Sequence, residues 1–326
     1  MSSLPSIFPL GKTLPYWAKK LKGDPDRLRF LFTKVLEIWA FQPYSGKVPD
    51  LPASLPLPTG IPNEAPNRPV ISLVIPTYLA NPADLANFQA LIGSVMEQIL
   101  PPRHLIIIDD HSPMTFDCPK EAIVKRLERN QGPAGARNAG IAIALELGSD
   151  VVAFTDVDCQ LDKNWGQALV STFRKHRQYS LLSGRTLSLD RGWPGRYHDL
   201  NGTLNGRKFR DSNCLLYGTT ANLAVMAQVF EKIRFNENFP FAAGEDIEFC
   251  LRANQQGFQI GFAPEMVVRH HFGYTGNAWQ NYRKLMRQFK RYGVGERQLR
   301  SEAPEFYAYF DQTIEIANHF LEHGGR

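Results

Sequence analysis

A handful of residues in this chain have types and spacings suited to chemistry as well as to packing. Asp156 and Asp158 stand one residue apart, and carboxylates so spaced can hold a divalent cation that in turn neutralises a diphosphate. Asp109 and Asp110 are adjacent; a carboxylate there can accept the imide proton of a uracil, or simply cap the helix that follows. Glu245, Asp246 and Glu248 follow Gly244, where acids either offset a helix dipole or take a proton from a reacting hydroxyl. The run Asn130 to Gly140 carries Gly132 and Gly135, which permit close backbone approach, and Arg137. That arginine can bind phosphate or ribose, or lie on a helix surface. Arg269 is followed by His270 and His271, imidazoles that serve as metal ligands or as ordinary structural side chains.

These groups need elements to hold them. Apolar runs at Ile71 to Ile75, Leu105 to Ile108 and Val151 to Phe154 read as buried strands. Helical patterns fit Asp84 to Gln98, Lys120 to Arg129 and Gly135 to Leu147 between them. The alternation predicts an α/β fold, with a mostly parallel sheet flanked by helices. Ligands of such sheets sit beyond the carboxyl ends of the strands. Those ends carry Pro76, Thr77 and Tyr78, then Asp109 and Asp110, then Asp156 and Asp158. The first set offers backbone groups and an aromatic face for a base.

Three regions follow. Residues 1–69 hold a helix, starting at Asp24 and Pro25 with the apolar stripe Leu28, Leu31, Phe32, Val35, Leu36 and Trp39. An extended proline-rich arm from Phe41 to Pro69 completes that region. Residues 70–265 form the sheet domain, in which the glycine- and arginine-bearing stretch Ser188 to Tyr217 is expected to wall a site. Residues 266–326 are a basic helical region, with no Asp or Glu between Glu265 and Glu296. There Trp279, Tyr282, Leu285, Met286, Phe289 and Tyr292 form an aromatic stripe. It suits either an anionic membrane surface or phosphate-bearing acceptor, or packing on the core. Nucleic acid is not an expected partner, because no nucleic-acid motif accompanies the charge.

With 43% hydrophobic and 21% charged residues and a net charge of +5, the composition is that of a soluble globular protein. The four cysteines are widely spaced without a CxxC pair, so reduced thiols and a cytoplasmic location are expected. Prolines 5, 9 and 15 interrupt the N-terminus, and neither a signal peptide nor a membrane span fits the sequence.

Taken in order, the motifs are Val74-Ile75-Pro76-Thr77-Tyr78, Ile108-Asp109-Asp110-His111-Ser112, Asn130-x-Gly132-x-x-x-Ala136-Arg137-Asn138, Asp156-Val157-Asp158 and Gly244-Glu245-Asp246-Ile247-Glu248. Together they resemble the family 2 glycosyltransferases of the GT-A fold, over about residues 70–270. The resemblance implies a nucleotide-sugar donor, uridine diphosphate being favoured, held by Pro76, Tyr78 and Asp110 with help from Arg137. It implies a DxD element at Asp156 and Asp158, with Asp158 the more direct ligand of Mn²⁺ or Mg²⁺. Where the family usually has asparagine after the first strand's aromatic residue, this chain has Leu79. The glycine-led acidic motif resembles the family's acceptor site, with Asp246 as general base and Glu245 as a positioning or acceptor-binding partner. A histidine after the last strand often completes the metal shell in related enzymes, which nominates His270 with His271 left open.

The expected activity is inverting transfer to a hydroxyl of a glycan, lipid-linked sugar, peptide or small molecule, with peripheral contact at the inner membrane face as a further expectation. A dinucleotide-dependent oxidoreductase would need a glycine-rich turn after the first strand, and Tyr78 to Pro82 contains no glycine. A glycoside hydrolase would leave the nucleoside-like strand ends unexplained. The non-enzymatic alternative is a sugar-nucleotide-binding scaffold or pseudoenzyme of the same fold.

Overall fold

The computed structural model describes residues 10–41, 60, 66, 68–210, 212–239, 241–310 and 312–315. The proline-rich arm lies almost wholly outside the described residues. Two helices, α1 (Leu10–Lys20) and α2 (Arg27–Phe41), precede the sheet. α2 starts two residues later than Asp24 and Pro25 suggest, because the Asp24 carboxylate accepts the Asp26 N–H at 2.8 Å in a separate turn.

The first half of the sheet domain runs β1 (Ile71–Thr77), α3 (Pro82–Met96), β2 (His104–Asp109), β3 (Ile123–Arg126), α4 (Gly132–Glu146) and β4 (Val151–Phe154). The helix expected over Lys120 to Arg129 is instead β3, paired in parallel with β2. Without it β2 would be an open edge, and β-branched Ile123 and Val124 suit a strand. Local helix propensity yields to that pairing.

The chain continues through β5 (Cys159–Leu161), α5 (Trp165–Lys175), β6 (Tyr179–Ser188), α6 (Trp193–Asn201), β7 (Arg207–Phe209), β8 (Cys214–Tyr217) and β9 (Leu223–Met226). It then forms α7 (Glu245–Gln255), β10 (Gln259–His270), α8 (Ala278–Glu302), α9 (Phe306–Phe310) and β11 (Thr313–Glu315). Among the described residues the strands form one sheet, ordered β11-β7-β8-β10-β6-β9-β4-β1-β2-β3, with β5 added against β10. The run β4-β1-β2-β3 is parallel, and β9 is antiparallel to both β4 and β6. β10 passes straight through residue 265, so the sheet extends past that point to His270.

A second, smaller core lies beside the main one. It joins Trp17 of α1, Phe30 of α2, Tyr197 of α6, Phe272 after β10 and Leu285 and Phe289 of α8. The aromatic stripe of α8 is therefore largely a packing face: Tyr282 and Met286 also meet this core, while Trp279 is exposed. No helix among the described residues is long and apolar enough to cross a membrane.

Candidate active site

Parallel pairing puts the carboxyl ends of β1, β2 and β4 along one edge, with Thr77 opposite Asp109. Tyr78 projects there half-exposed, leaving an aromatic face for a base. Thr77 is buried; its hydroxyl donates to Ile75 O at 3.2 Å and its carbonyl accepts Asp110 N at 2.8 Å. Its side chain thus serves the turn. Asp109 is likewise engaged internally, accepting Ser112 N at 2.8 Å and pairing with Arg126. Asp110 accepts the Gln131 and Gly132 N–H groups at 2.6 and 2.9 Å, one on each oxygen. It caps α4 across the site edge, and each oxygen keeps a lone pair for a ligand. Burial pushes the Asp110 carboxyl up, against the pull of those two N–H groups.

α4 must lie close to the sheet for Arg137 to reach the site. Gly140 makes this possible: a Cβ there would sit 2.3 Å from Val74 Cγ1 and 3.3 Å from Ile108 Cγ1. One turn earlier, Arg137 is 1% exposed. Its guanidinium donates to Glu245 Oε1 at 2.6 Å and to Asp156 Oδ1 at 3.0 Å. Burial works against its charge and the two carboxylates more than offset it. One cation therefore ties the β4 turn to the start of α7.

At α7, Gly244 adopts φ +95°, and a Cβ would press on Gly295 O of α8 and on Phe239, both at 3.2 Å. The left-handed turn releases three acids with three different fates. Glu245 is held by Arg137, and Glu248 by Arg252 through contacts of 2.5 and 2.7 Å. Asp246 accepts only backbone N–H groups among its hydrogen bonds, from Thr220 at 3.2 Å and Ile247 at 2.8 Å. Burial, with repulsion from Glu245, pushes its carboxyl up to about 7. A carboxylate of that basicity, without a cation bound to it, is suited to accept a proton at neutral pH.

β10 ends beside β5, with His270 opposite Cys159. His270 Nε2 lies 3.1 Å from Asp158 Oδ1. Burial pushes Asp158 up and His270 down, and each group's neighbour reverses this, favouring the charged pair. His271 turns away: its backbone N–H donates to Asp158 O at 2.7 Å, and Nδ1 lies 3.4 Å from Asp190. Asp158, Cys159 and His270 form a cluster able to hold a metal. His270 Nδ1 is buried without a hydrogen-bond partner. A carboxylate and an imidazole, completed by diphosphate oxygens, fit Mn²⁺ or Mg²⁺. Burial raises the Cys159 thiol well above its usual range, and its soft sulfur is a poor match for Mn²⁺ or Mg²⁺.

A cavity of about 230 Å³ opens beside this machinery, lined by Arg137, Asp156, Glu245 and Asp246. Its far walls are Asn201 to Asn205, Arg207 and Tyr217, from the expected wall stretch, and Phe289 and Tyr292 of α8. Glu37 of α2 also reaches it, held by Lys34 at 2.6 Å and Tyr197 Oη at 2.5 Å. The sequence carried no signal for Glu37, since the apolar stripe drew attention to the opposite face of its helix. Asp190 was also missed. It accepts the Phe272 and Tyr274 N–H groups at 2.5 and 2.6 Å and so anchors the segment after His270.

The family model for "Glycosyl transferase family 2" matches residues 72–234, half of the chain. The chain is a family 2 glycosyltransferase. The dTDP-rhamnosyl transferase RfbF of Shigella flexneri is 27% identical to this glycosyltransferase over 219 residues, covering 62% of this chain and 69% of that protein. A crystal structure of S. aureus TarS with UDP-GlcNAc superposes with a TM-score of 0.51 at 17% identity, over 78% of this chain and 76% of that one. GalNAc-T7 with UDP, GalNAc and Mn²⁺ also gives 0.51 at 17% identity, over 79% and 58%. At such identities these structures establish the fold, which is the GT-A architecture expected from the motifs.

Proposed function

We propose that this family 2 glycosyltransferase moves a sugar, with inversion, from a pyrimidine nucleotide diphosphate donor to a saccharide hydroxyl. The observation that carries the reading is the Arg137 bridge. By pairing with both Asp156 and Glu245, it holds the donor-side turn and the acceptor-side helix at one cavity, with Asp246 on the cavity wall.

In this reading Tyr78 and Pro76 receive the base, and the remaining lone pairs of Asp110 accept the imide proton. Uridine is the first assignment; thymidine presents the same imide edge, and RfbF is named for a dTDP sugar. Asp158 and His270, with Asp156 nearby, would hold a divalent cation, and such an ion when bound neutralises charge on the diphosphate. Arg137, its charge balanced by Asp156 and Glu245, fixes both carboxylates at the cavity without reorganisation. The acceptor enters the cavity, where Asn201, Asn205 and Arg207 form a polar wall and Tyr217 and Phe306 offer faces for a sugar ring. Asp246 takes the hydroxyl proton as oxygen attacks the anomeric carbon, and the bond from that carbon to the phosphate oxygen breaks to release the nucleoside diphosphate. A single displacement of that kind inverts the centre.

A thermal-shift screen of UDP, dTDP and GDP sugars with Mn²⁺ tests the donor half. Stabilisation by a pyrimidine nucleotide sugar, dependent on metal and lost in Asp158→Ala, is expected. Equal stabilisation in Asp158→Ala would remove the DxD assignment, and a preference for GDP sugars would remove the base assignment. Binding without any metal-stimulated donor hydrolysis or transfer would instead favour the scaffold alternative.

A further inference from the structure

The apolar stripe of α2 only partly packs: Leu31 meets the second core and Leu36 is half-buried, but the other four residues face outward. Phe30, Thr33, Lys34, Glu37 and Ala40 are buried, whereas Leu28 is 82%, Phe32 55%, Val35 37% and Trp39 58% exposed. The four exposed residues follow one another at intervals of four, three and four, so they lie on one line along the helix. α8 runs alongside: Phe32 meets the Tyr282 ring at 6.2 Å, and Lys290 Nζ lies 5.9 Å from the Trp39 ring. On its outward side α8 presents Trp279, 70% exposed, then Arg283, Arg287 and Lys290, all exposed. None of these three cations forms a salt bridge with a carboxylate among the described residues. The sequence from Met266 to Gly295 contains no acid at all.

We propose that this outer face of α2 and α8 docks on an anionic lipid bilayer. An apolar ridge with tryptophan, flanked by Arg and Lys without carboxylate partners among the described residues, is complementary to an interface of acyl chains and negative headgroups. A second copy of the chain fits less well. A two-fold contact through this face would gather the α8 cations of both copies in one interface, where neither Met266 to Gly295 nor the exposed line of α2 supplies an acid to meet them. The opposite sides of the same helices supply Glu37, Phe289 and Tyr292 to the cavity, so the bilayer would support one wall of the acceptor site. Docking does not depend on the catalytic assignments, and its test is independent of transfer.

The test is co-sedimentation of the full chain with phosphatidylcholine vesicles, with and without phosphatidylglycerol, at low and high salt. Binding is expected only with the anionic lipid and is expected to weaken as salt rises. Each basic residue at the surface contributes roughly fivefold to partitioning. Charge reversal of Arg283, Arg287 and Lys290 together should therefore lower binding by about a hundredfold or more. The pair Phe32→Ser and Trp39→Ser should lower it about tenfold or more, and both variants should keep the wild-type donor-induced thermal shift. If one set misfolds, the other decides. Binding indifferent to lipid charge, or equal to wild type in the well-folded variants, would overturn the proposal. So would a concentration-dependent dimer that these substitutions dissolve.

Discussion

Replacing Asp246 by Asn removes the proposed base while keeping its shape, and the structure sets what should follow. The carboxyl moves from its ordinary 3.8 to about 7 in the folded chain. At about 1.36 kcal/mol per pH unit, holding it ionised costs the fold at most about 4 kcal/mol. Partial exposure to the cavity reduces that figure. Asparagine also turns an NH₂ toward either Thr220 N–H or Ile247 N–H, losing one hydrogen bond worth about 1 kcal/mol. The net expectation at pH 8 is a variant more stable than wild type by about 1–3 kcal/mol. The pH dependence has a definite sign. Below about pH 4 the residue is protonated folded or unfolded and its ionisation costs nothing. Between about 4 and 7 unfolding releases a proton, so wild-type stability falls as pH rises, and above 7 the cost is complete. The advantage of the variant should therefore be absent near pH 4 and full by pH 8, as read by urea denaturation across that range. Transfer should fall by about 10² to 10⁴ with donor affinity unchanged, and wild-type kcat/KM should rise with pH to a plateau, half-reached near pH 7. Retained transfer, or a stability difference independent of pH, would refute the reasoning.

Arg137→Ala strands Glu245 and Asp156 at a buried site, and Glu245 Oε2 is already without a partner. A loss of about 3–5 kcal/mol is expected in denaturation, together with weakened donor binding by calorimetry. Gly140→Ala inserts a methyl 2.3 Å from Val74 Cγ1. It should cost about 1–3 kcal/mol and, by lifting α4, weaken donor binding although it touches no ligand-facing atom.

Much of the donor side was legible because it is local. A β-strand that ends in Asp, or a glycine run that opens a helix, is written in consecutive residues, and the parallel pairing of β1 with β2 and β4 is what alternating strands and helices predict. The errors came where a distant partner decides. Lys120 to Arg129 has helix-forming residues and became β3 because β2 lies beside it. The aromatic stripe of α8 could face lipid or core, and only the presence of Phe30, Tyr197 and Phe272 next to it made it core. The stripe on α2 was split: Lys34 and Glu37 satisfy one another inside the fold and Leu31 packs on the second core, while Leu28, Phe32, Val35 and Trp39 stay exposed.

Composition, strand ends and motif order, read alone, determined the fold class, the family resemblance and the short list of acids and imidazoles. Only the tertiary structure decided their surroundings. Among Glu245, Asp246 and Glu248 the family resemblance singled out Asp246; the fold adds that Arg137 and Arg252 bind the outer two and that Asp246 lines the cavity. Between His270 and His271, strand pairing turns one toward Asp158 and the other toward Asp190. The reason is the same in both cases: a carboxylate or imidazole takes its proton affinity and its partner from charges distant in the chain, and folding alone brings those charges within reach.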